Sequence, residues 1–194
     1  MAGVLLAAGG GQRFKGPTNK LMAPFAGRPL VAWALESVCA ADLDEVVVVA
    51  GAVDLAHLMP PEVTLIDNAL WAQGQATSLR VALEWCAQQG HDAAVVGLGD
   101  QPGVTTAAWS ALAHPEPERA GANGPRTSLI VVATYAGRRG NPVRLDRGAW
   151  PLVHGFGDEG ARRLMRERPE LVSELACEGN PRDIDTVEDL QAWN

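Results

Sequence analysis

Apolar residues along the chain follow two spacings that alternate with each other. Short, nearly continuous runs of Val, Leu, Ile and Ala predict buried β-strands, whereas apolar residues three and four positions apart predict amphipathic helices. The predicted strands are Val4–Ala7, Glu45–Ala50, Val63–Ile66, Ala93–Leu98 and Leu129–Tyr135. The predicted helices are Pro29–Ala41, Val53–Met59, Thr77–Gln89, Thr105–Ala113, Glu159–Glu167 and Thr186–Trp193, the last of them after a short strand. The pattern is less regular over the C-terminal third.

Such an alternation of strands and helices is typical of an α/β protein. Strands that are apolar along their whole length are covered on both faces, as in a mostly parallel sheet. The 194 residues predict one domain, 1–194, which is large enough to bury a core without disulfides. Residues 115–127 show no apolar period. We expect an exposed loop there, inside the domain, because the strand that follows needs the earlier strands for its burial.

Composition and charge exclude several classes of protein. The net charge is −7, whereas a general nucleic-acid binder carries a basic surface. No apolar run approaches the ~20 residues of a membrane-spanning helix. The three cysteines form no CxxC pair and the histidines show no metal-ligand spacing, so neither a disulfide framework nor a zinc site is expected. A strand begins almost at residue 1, so we expect no signal peptide and a cytoplasmic protein.

The positive charges are concentrated near the start of the chain. Residues 1–35 contain no Asp or Glu, and both lysines of the chain lie there. The cations of this stretch are Arg13, Lys15, Lys20 and Arg28. In an acidic protein, a basic and glycine-rich segment indicates a local anion site, although chance clustering would give the same pattern.

The first candidate motif lies in this basic segment. An apolar strand runs directly into the residues Leu6, Ala7, Ala8, Gly9, Gly10 and Gly11. Glycines permit a tight turn whose successive N–H groups can surround a phosphate, and Arg13 and Lys20 can neutralise its charge. The motif is neither a P-loop nor a dinucleotide fingerprint, because Phe14 stands where a third glycine is expected. A plain glycine-rich turn with solvated cations is the alternative.

Two further segments place carboxylates where they can hold a metal ion. The strand Ala93–Leu98 is followed closely by Asp100, and ligands of open α/β sheets bind beyond the carboxyl ends of the strands. Mg²⁺ prefers one or two carboxylates together with phosphates and water, so Asp100 is a candidate ligand, with capping of the next helix or turn as an equal alternative. Asp183 and Asp185 would point the same way in a strand. From this segment alone, Asp185 or Thr186 is better explained as a helix N-cap.

Three other segments carry weaker signals. Gly74–Arg80 opens a helix, and its Ser78 hydroxyl can meet a base, ribose or phosphate, although a plain N-cap explains this segment better. Gly137–Pro142 predicts a rigid turn with two cations, and Gly155–Arg162 a glycine-flanked helix start. Either of these two can form a lid or a substrate loop. The six tryptophans are spaced like packing residues and predict no stacking surface.

The order and spacing of these segments together resemble the MobA-like nucleotidyltransferases, which attach a nucleotide to the molybdenum cofactor, and most closely their cytidylyltransferase branch. The resemblance extends over nearly the whole chain. It rests on Leu6–Gly9 with Arg13 and Lys20, on Leu98–Pro102, on Arg139–Pro142, on Gly157–Arg162 and on Asp183–Thr186. The sequence departs from the family pattern in the long spacer before Lys20, which leaves Lys15 as a rival, and in Val187, which replaces a proline.

The resemblance implies a single three-layer α/β/α domain with a Rossmann-like, mixed but mainly parallel seven-stranded sheet. It implies that Leu6–Gly11 hold the nucleotide beside Ser78, and that Arg13 and Lys20 bind its triphosphate. Mg²⁺ would be held by Asp100 and Asp185, which replaces the cap interpretation of Asp185. The residues implied to carry catalysis are Arg13, Lys20 and Asp100, and those implied to face the acceptor are Gly140, Asn141 and Pro142. The guanylyl branch has Gly-Gly where this chain has Ala8-Gly9, which favours CTP over GTP.

The predicted reaction is Mg²⁺-dependent transfer of CMP from CTP to molybdopterin, with release of pyrophosphate. An acceptor phosphate attacks the α-phosphorus in line and is already ionised at neutral pH, so no general base is needed, and positioning and charge neutralisation do most of the work. One rival is guanylyl or other nucleotidyl transfer to a different phosphorylated small acceptor. A second rival is a non-catalytic escort that delivers molybdenum cofactor to a molybdoenzyme. Neither a nucleic acid nor a membrane is expected as a partner.

Overall fold

The computed structural model describes residues 1–115 and 128–193. The strands are β1 (Ala2–Leu6), β2 (Pro24–Phe25), β3 (Arg28–Pro29), β4 (Glu45–Ala50), β5 (Val63–Asp67), β6 (Ala93–Leu98), β7 (Ile130–Tyr135), β8 (Arg138–Asp146) and β9 (Val172–Ala176). The α-helices are α1 (Leu30–Cys39), α2 (Gln75–Gln88), α3 (Thr106–Ala113), α4 (Ala161–Glu167) and α5 (Val187–Gln191). Of the loop expected at 115–127, residues 116–127 lie outside the described part of the chain.

Seven strands form one twisted sheet in the order β5-β4-β1-β6-β8-β7-β9. The pairs β4–β5, β1–β4, β1–β6 and β7–β9 are parallel. Strand β8 is antiparallel to both of its neighbours, β6 and β7. The predicted α/β class and mostly parallel sheet are therefore confirmed.

The central strands are apolar throughout because both faces of the sheet are covered. In β4, Val47 and Val49 pack on the face that holds α2 and α4, whereas Val48 packs on the face that holds α1 and α3. On that second face Trp109 of α3 is 1% exposed. The result is the three-layer α/β/α arrangement.

The carboxyl ends of β1, β4 and β6 meet at one edge of the sheet. Leu6, the last residue of β1, is in register with Val49 and with Leu98. Two backbone hydrogen bonds extend this alignment past the strand ends, from the Ala7 N–H to the Val49 carbonyl at 2.8 Å and from the Gly99 N–H to the Leu6 carbonyl at 2.9 Å. The loops that follow β1 and β6 therefore leave the sheet side by side, at the edge where ligands of such sheets bind.

Four predicted elements differ from the structure. The helix predicted at Val53–Met59 is a single 3₁₀ turn at Ala56–Leu58. The turn predicted at Gly137–Pro142 is the first part of β8, and the chain reverses just before it, at Ala136 and Gly137, which have φ of 49° and 77°. The helix predicted at Thr186–Trp193 is limited to α5. The short strand expected before that helix is irregular backbone.

Polar pairing explains why β8 is not apparent in the sequence. Arg139 and Arg144, which interrupt its apolar pattern, pair with Glu174 and Asp146 at 2.7 Å each. The register of β8 with β7 also shifts between Val132 and Ala133.

In residues 1–115 and 128–193, no helix has the length and apolarity that crossing a membrane requires.

Candidate active site

A cavity of about 470 Å³ opens at the carboxyl edge of the sheet. Every residue predicted to bind nucleotide or metal lines it: Leu6, Ala7, Ala8, Gly9, Gly10, Gly11, Arg13, Lys20, Ser78, Asp100 and Asp185. These residues come from five separate segments of the chain. The fold therefore brings together side chains that sequence reasoning could connect only through a family resemblance.

The loop after β1 passes too close to its neighbours for larger residues. A Cβ atom on Gly10 would lie 2.9 Å from the ring of Trp71. Gly11 has φ of 61°, and a Cβ there would lie 2.9 Å from the Cβ of Lys20. Glycine at these positions lets the loop pack against Trp71 and Lys20 while its backbone remains at the cavity wall.

Lys20 forms the electrostatic centre of the cavity. Its Nζ lies 2.6 Å from Asp100 Oδ2 and 2.9 Å from Asp185 Oδ1, and its side chain is 11% exposed. Burial alone would lower the pKa of Lys20, but the two carboxylates outweigh that effect and raise it above the ordinary value. Lys20 is therefore protonated at neutral pH.

Arg13 approaches the same cluster from the solvent side. Its guanidinium lies 2.8 Å from Asp185 Oδ2, and its side chain is 75% exposed. An exposed arginine on a glycine-rich loop can turn toward an incoming anion at little cost, because exposed ion pairs contribute about 0–1 kcal/mol. Lys15, the rival to Lys20, is exposed and is not among the residues that line the cavity.

Both carboxylates are free of the capping roles considered for them. Helix α3 is capped by Thr105, whose side chain accepts a hydrogen bond from the Ala108 N–H. Helix α5 begins with a capping box between Thr186 and Asp189. Asp100 and Asp185 instead face the cavity, so neither is needed to terminate a helix.

Ser78 is buried at the first turn of α2. Its Oγ accepts a hydrogen bond from Asn68 Nδ2 at 2.9 Å, and the same amide group donates to Thr77 Oγ1. The N-cap of α2 is Gly74, which provides no side-chain cap. The helix start predicted for this segment is therefore confirmed, with Gly74 and not a hydroxyl residue at the cap, and Ser78 is a cavity residue that the Asn68 amide holds in place.

A second cavity, of about 350 Å³, adjoins the first. The two share Leu6, Gln75, Leu98 and Arg162 as lining residues. Gly140 and Asn141, two of the three residues predicted to face the acceptor, line the second cavity. Pro142 is buried in β8 and does not line it.

A hydrogen-bonded chain that sequence reasoning missed connects the two cavities. Asn141 Nδ2 donates to Gln101 Oε1 at 3.0 Å, and Gln101 Nε2 donates to the carboxylate of Asp183. Gln101 is 2% exposed. Burial, followed by the charge of Asp100, raises the pKa of Asp183. The sequence analysis named all three segments, Leu98–Pro102, Arg139–Pro142 and Asp183–Thr186, but gave no sign that hydrogen bonds join them.

Trp71 is a second residue that sequence reasoning missed. Its ring lies against the backbone of Gly10 and Gly51 and lines the nucleotide cavity. The residue lies in a 3₁₀ turn, Trp71–Gln73, with no apolar period to reveal its position. Its place at the cavity became apparent only once the loop after β1 and the turn before α2 were seen together.

A family model described as the MobA-like NTP transferase domain matches residues 3–172. The chain belongs to this family. The family resemblance stated from the motifs is thereby confirmed. The match includes the glycine-rich loop, Lys20 and Asp100, and it ends before Asp185.

Individual members of the family and its structural neighbours span the chain. Nicotine blue oxidoreductase of Paenarthrobacter nicotinovorans is 34% identical over 98% of this chain and 94% of its own length. Rv0371c of Mycobacterium tuberculosis H37Rv is 27% identical, with a TM-score of 0.79, over 99% of this chain and 96% of its own. A structure of Rv0371c with manganese has a TM-score of 0.72 over 98% and 95% of the two chains.

A nucleotidyl transferase from Methanothermobacter thermautotroptrophicus supports the assignment of fold. It is 20% identical, with a TM-score of 0.76, over 98% of this chain and 94% of its own. At that identity the likeness concerns the fold alone. The expected Rossmann-like nucleotidyltransferase fold is confirmed.

Proposed function

We propose that residues 1–194 act as one Mg²⁺-dependent nucleotidyltransferase domain that transfers CMP from CTP to molybdopterin and releases pyrophosphate. The observation that carries this proposal is the convergence, in one cavity, of the glycine-rich loop with Arg13, Lys20, Asp100 and Asp185. Anion-binding backbone and cations fit a triphosphate. Oxygen ligands beside it fit a hard divalent ion.

The residues present fit such an ion. Asp100 Oδ1 is buried and has no hydrogen-bond partner among the described residues, and a buried carboxylate oxygen without a partner is costly unless something else binds it. Asp100 and Asp185 would hold the ion. Over residues 1–115 and 128–193, no group of three or more His, Cys, Asp or Glu side chains is placed to hold a metal. Phosphate oxygens of the nucleotide would therefore complete its ligands.

The chain's own side chains then have separate tasks. Arg13 and Lys20 bind the triphosphate oxygens, and the loop from Leu6 to Gly11 positions the nucleoside. An acceptor phosphate oxygen forms a bond to the α-phosphorus while the bond from that phosphorus to the bridging oxygen breaks, and the electron pair leaves with pyrophosphate. A divalent ion supplies charge neutralisation along the triphosphate when it is bound. Lys20 supplies a fixed positive charge in a nearly closed site, where such charges act most strongly.

The deciding experiment is a pyrophosphate-release screen of CTP, GTP, ATP and UTP against purified molybdenum cofactor, with and without Mg²⁺. We expect release with CTP and Mg²⁺. Release with none of the four triphosphates would contradict the proposal and favour the escort role. Release with a different phosphorylated acceptor would retain the chemistry and replace molybdopterin.

The metal assignment makes a separate prediction. Asp185→Asn should abolish turnover and weaken Mn²⁺ binding, because the amide lacks the negative charge that the ion needs. Glu188→Gln, an exposed change in the first turn of α5, is the matched control and should leave both unchanged. Mn²⁺ binding is measured by electron paramagnetic resonance, and an Asp185→Asn protein that binds Mn²⁺ normally would remove Asp185 from the ligand set.

The choice of CTP is tested at Ala8. Ala8 lines the cavity and is 4% exposed. We expect Ala8→Gly to relax the preference toward GTP, by no more than the ~1–3 kcal/mol that a methyl group contributes to discrimination. Competing CTP and GTP in one reaction and comparing the two products by mass measures the ratio. A wild-type protein that makes mainly the guanylyl product would contradict the choice of CTP alone.

A second candidate function is favoured by one relative. Nicotine blue oxidoreductase is 34% identical over 98% of this chain, and the second cavity has the volume of a site for a small organic molecule. Incubation with NADH or NADPH and nicotine blue, followed by the absorbance of the reduced cofactor, tests this candidate. Cofactor oxidation without pyrophosphate release in the screen would replace nucleotidyl transfer by reduction.

A further inference from the structure

The second cavity has a largely apolar wall that also carries the polar side chains of Gln75, Asn141 and Glu159, and it meets the first cavity at Arg162. Its walls include Leu79, Val96, Val132, Val143 and Met165, each at most 8% exposed. Its volume of about 350 Å³ lies in the range of sites for small organic molecules, roughly 300–1,000 Å³. A polyol bound against the apolar part of this wall would lose hydrogen bonds to water that the apolar side chains cannot replace.

Arg162 lies where the two cavities meet. It lines both of them, and within residues 1–115 and 128–193 its guanidinium makes no hydrogen bond or ion pair. The other arginines of α4 are paired: Arg163 with Glu167 at 2.8 Å, and Arg166 with Glu159 at 2.7 Å. Among the described residues, Arg162 is therefore the arginine of α4 that no carboxylate contacts directly, and the charge of Asp183 acts on it.

Glycines hold Arg162 at this junction. Gly157 and Gly160 have φ of 96° and 51°, a backbone conformation that other residues rarely adopt. The Gly157 carbonyl accepts a hydrogen bond from the Ala76 N–H at 2.9 Å, which attaches the loop to the start of α2. The glycine-flanked segment seen in the sequence thus positions Arg162 between the nucleotide and the second cavity.

We propose that Arg162 binds the phosphate of the acceptor and that the second cavity takes an apolar, ring-shaped acceptor body, so that the acceptor is an aromatic phosphomonoester and not a polyol phosphate. This inference rests on the proposed nucleotidyl transfer. Guanidinium groups bind phosphates through two parallel N–H···O bonds. At the junction of the cavities, such a pair would hold the acceptor phosphate beside the nucleotide.

The test is direct binding to the full chain, measured by isothermal titration calorimetry. The probes are 1-naphthyl phosphate, inositol 1-phosphate and the neutral 1-naphthalenemethanol. We expect 1-naphthyl phosphate to bind at least about tenfold more tightly than either of the others, because only it satisfies both the apolar walls and the cation. Equal or tighter binding of inositol 1-phosphate would overturn the proposal.

Three variants locate the bound phosphate. Arg162→Gln should weaken 1-naphthyl phosphate by about tenfold or more, whereas Arg163→Gln, its paired neighbour, should change binding less than about twofold. If Arg13→Gln weakens the binding of 1-naphthyl phosphate and Arg162→Gln does not, the probe occupies the nucleotide loop. That result would overturn the proposal. Thermal unfolding of each variant checks that the fold is retained.

One further variant addresses the apolar wall. Val143→Thr keeps the shape of the side chain and adds a hydroxyl group, so it should weaken 1-naphthyl phosphate and leave inositol 1-phosphate unchanged. An unchanged affinity for 1-naphthyl phosphate would place its ring outside the second cavity and contradict the proposal.

Failure of this inference can be distinguished from failure of the proposed function. Pyrophosphate release that is insensitive to Arg162→Gln would retain nucleotidyl transfer and remove Arg162 from the acceptor site. Conversely, Arg162-dependent binding of 1-naphthyl phosphate without pyrophosphate release from any triphosphate would retain the site and remove the reaction.

Discussion

Lys20 and Lys15 are the two lysines of the chain, and their surroundings differ. Lys20 is nearly closed off between Asp100 and Asp185, whereas Lys15 is exposed outside the cavity. A charge at a position that solvent scarcely reaches acts more strongly on a bound triphosphate than one in water. The structure therefore separates two residues that the long spacer left as rivals.

We expect Lys20→Ala to lower kcat/KM for CTP about 100- to 1000-fold, the usual effect of removing one group that stabilises developing charge. Lys15→Ala is the matched control and should change kcat/KM less than about twofold. Steady-state rates of pyrophosphate release measure both. The reverse order of effects would assign the triphosphate to Lys15.

At the scale of elements, two glycines, Gly74 and Gly157, form the close contact between the start of α2 and the loop before α4. Gly74 has φ of 111°, and a Cβ there would lie 2.6 Å from the backbone of Gly157. Gly90, just after α2, has φ of 80° and nothing within 4 Å of such a Cβ. Both glycines that flank α2 therefore have a positive φ, but Gly74, with ψ of 163°, lies in the region that other residues avoid most, and it alone of the two has a close contact.

Gly90→Ala should lower the free energy of unfolding by about 1–2 kcal/mol, the cost of a left-handed backbone at a residue with a side chain. Gly74→Ala should lower it further, because the backbone of Gly157 must also move. Equilibrium unfolding in urea at pH 7 compares the two. Equal losses would mean that the contact between Gly74 and Gly157 contributes nothing to stability.

At the scale of the whole molecule, the site consists of side chains from segments that lie far apart in the chain. Lys20 and Asp185, whose side chains touch, are separated by 165 positions. A ligand that contacts these segments binds the folded chain and not the unfolded one, so binding stabilises the fold.

CTP with Mg²⁺ at a hundredfold excess over its Kd should add about 2.7 kcal/mol of stability. For a chain of this size that corresponds to a rise in Tm of about 5–10 °C. Differential scanning fluorimetry with CTP, with CTP and EDTA, and with GTP gives the comparison. We expect the rise to shrink when EDTA removes the ion, and an equal rise without a divalent ion would contradict the metal assignment.

The sequence by itself determined the elements whose burial can be seen in the order of apolar and polar residues within the element. Strands such as β4 and β6 are apolar on both faces, so their residues alone indicate a covered sheet. Helix α1 likewise shows one apolar stripe. The motifs after β1 and β6 were found for a related reason: each follows directly on a strand that the pattern reveals.

Only the tertiary structure decided what depends on neighbours distant in sequence. Segment Arg138–Asp146 becomes strand β8 because β6 and β7 pair with it and because Glu174 of β9 neutralises Arg139. Asp185 is a cavity residue because the fold places it against Lys20 and Arg13, which lie far away at the start of the chain. Trp71 reaches the nucleotide cavity from a 3₁₀ turn and Arg162 reaches both cavities from the start of α4, and no periodic pattern predicts either position. Hydrogen bonds and ion pairs formed across the fold are chosen by geometry, which a one-dimensional pattern does not contain.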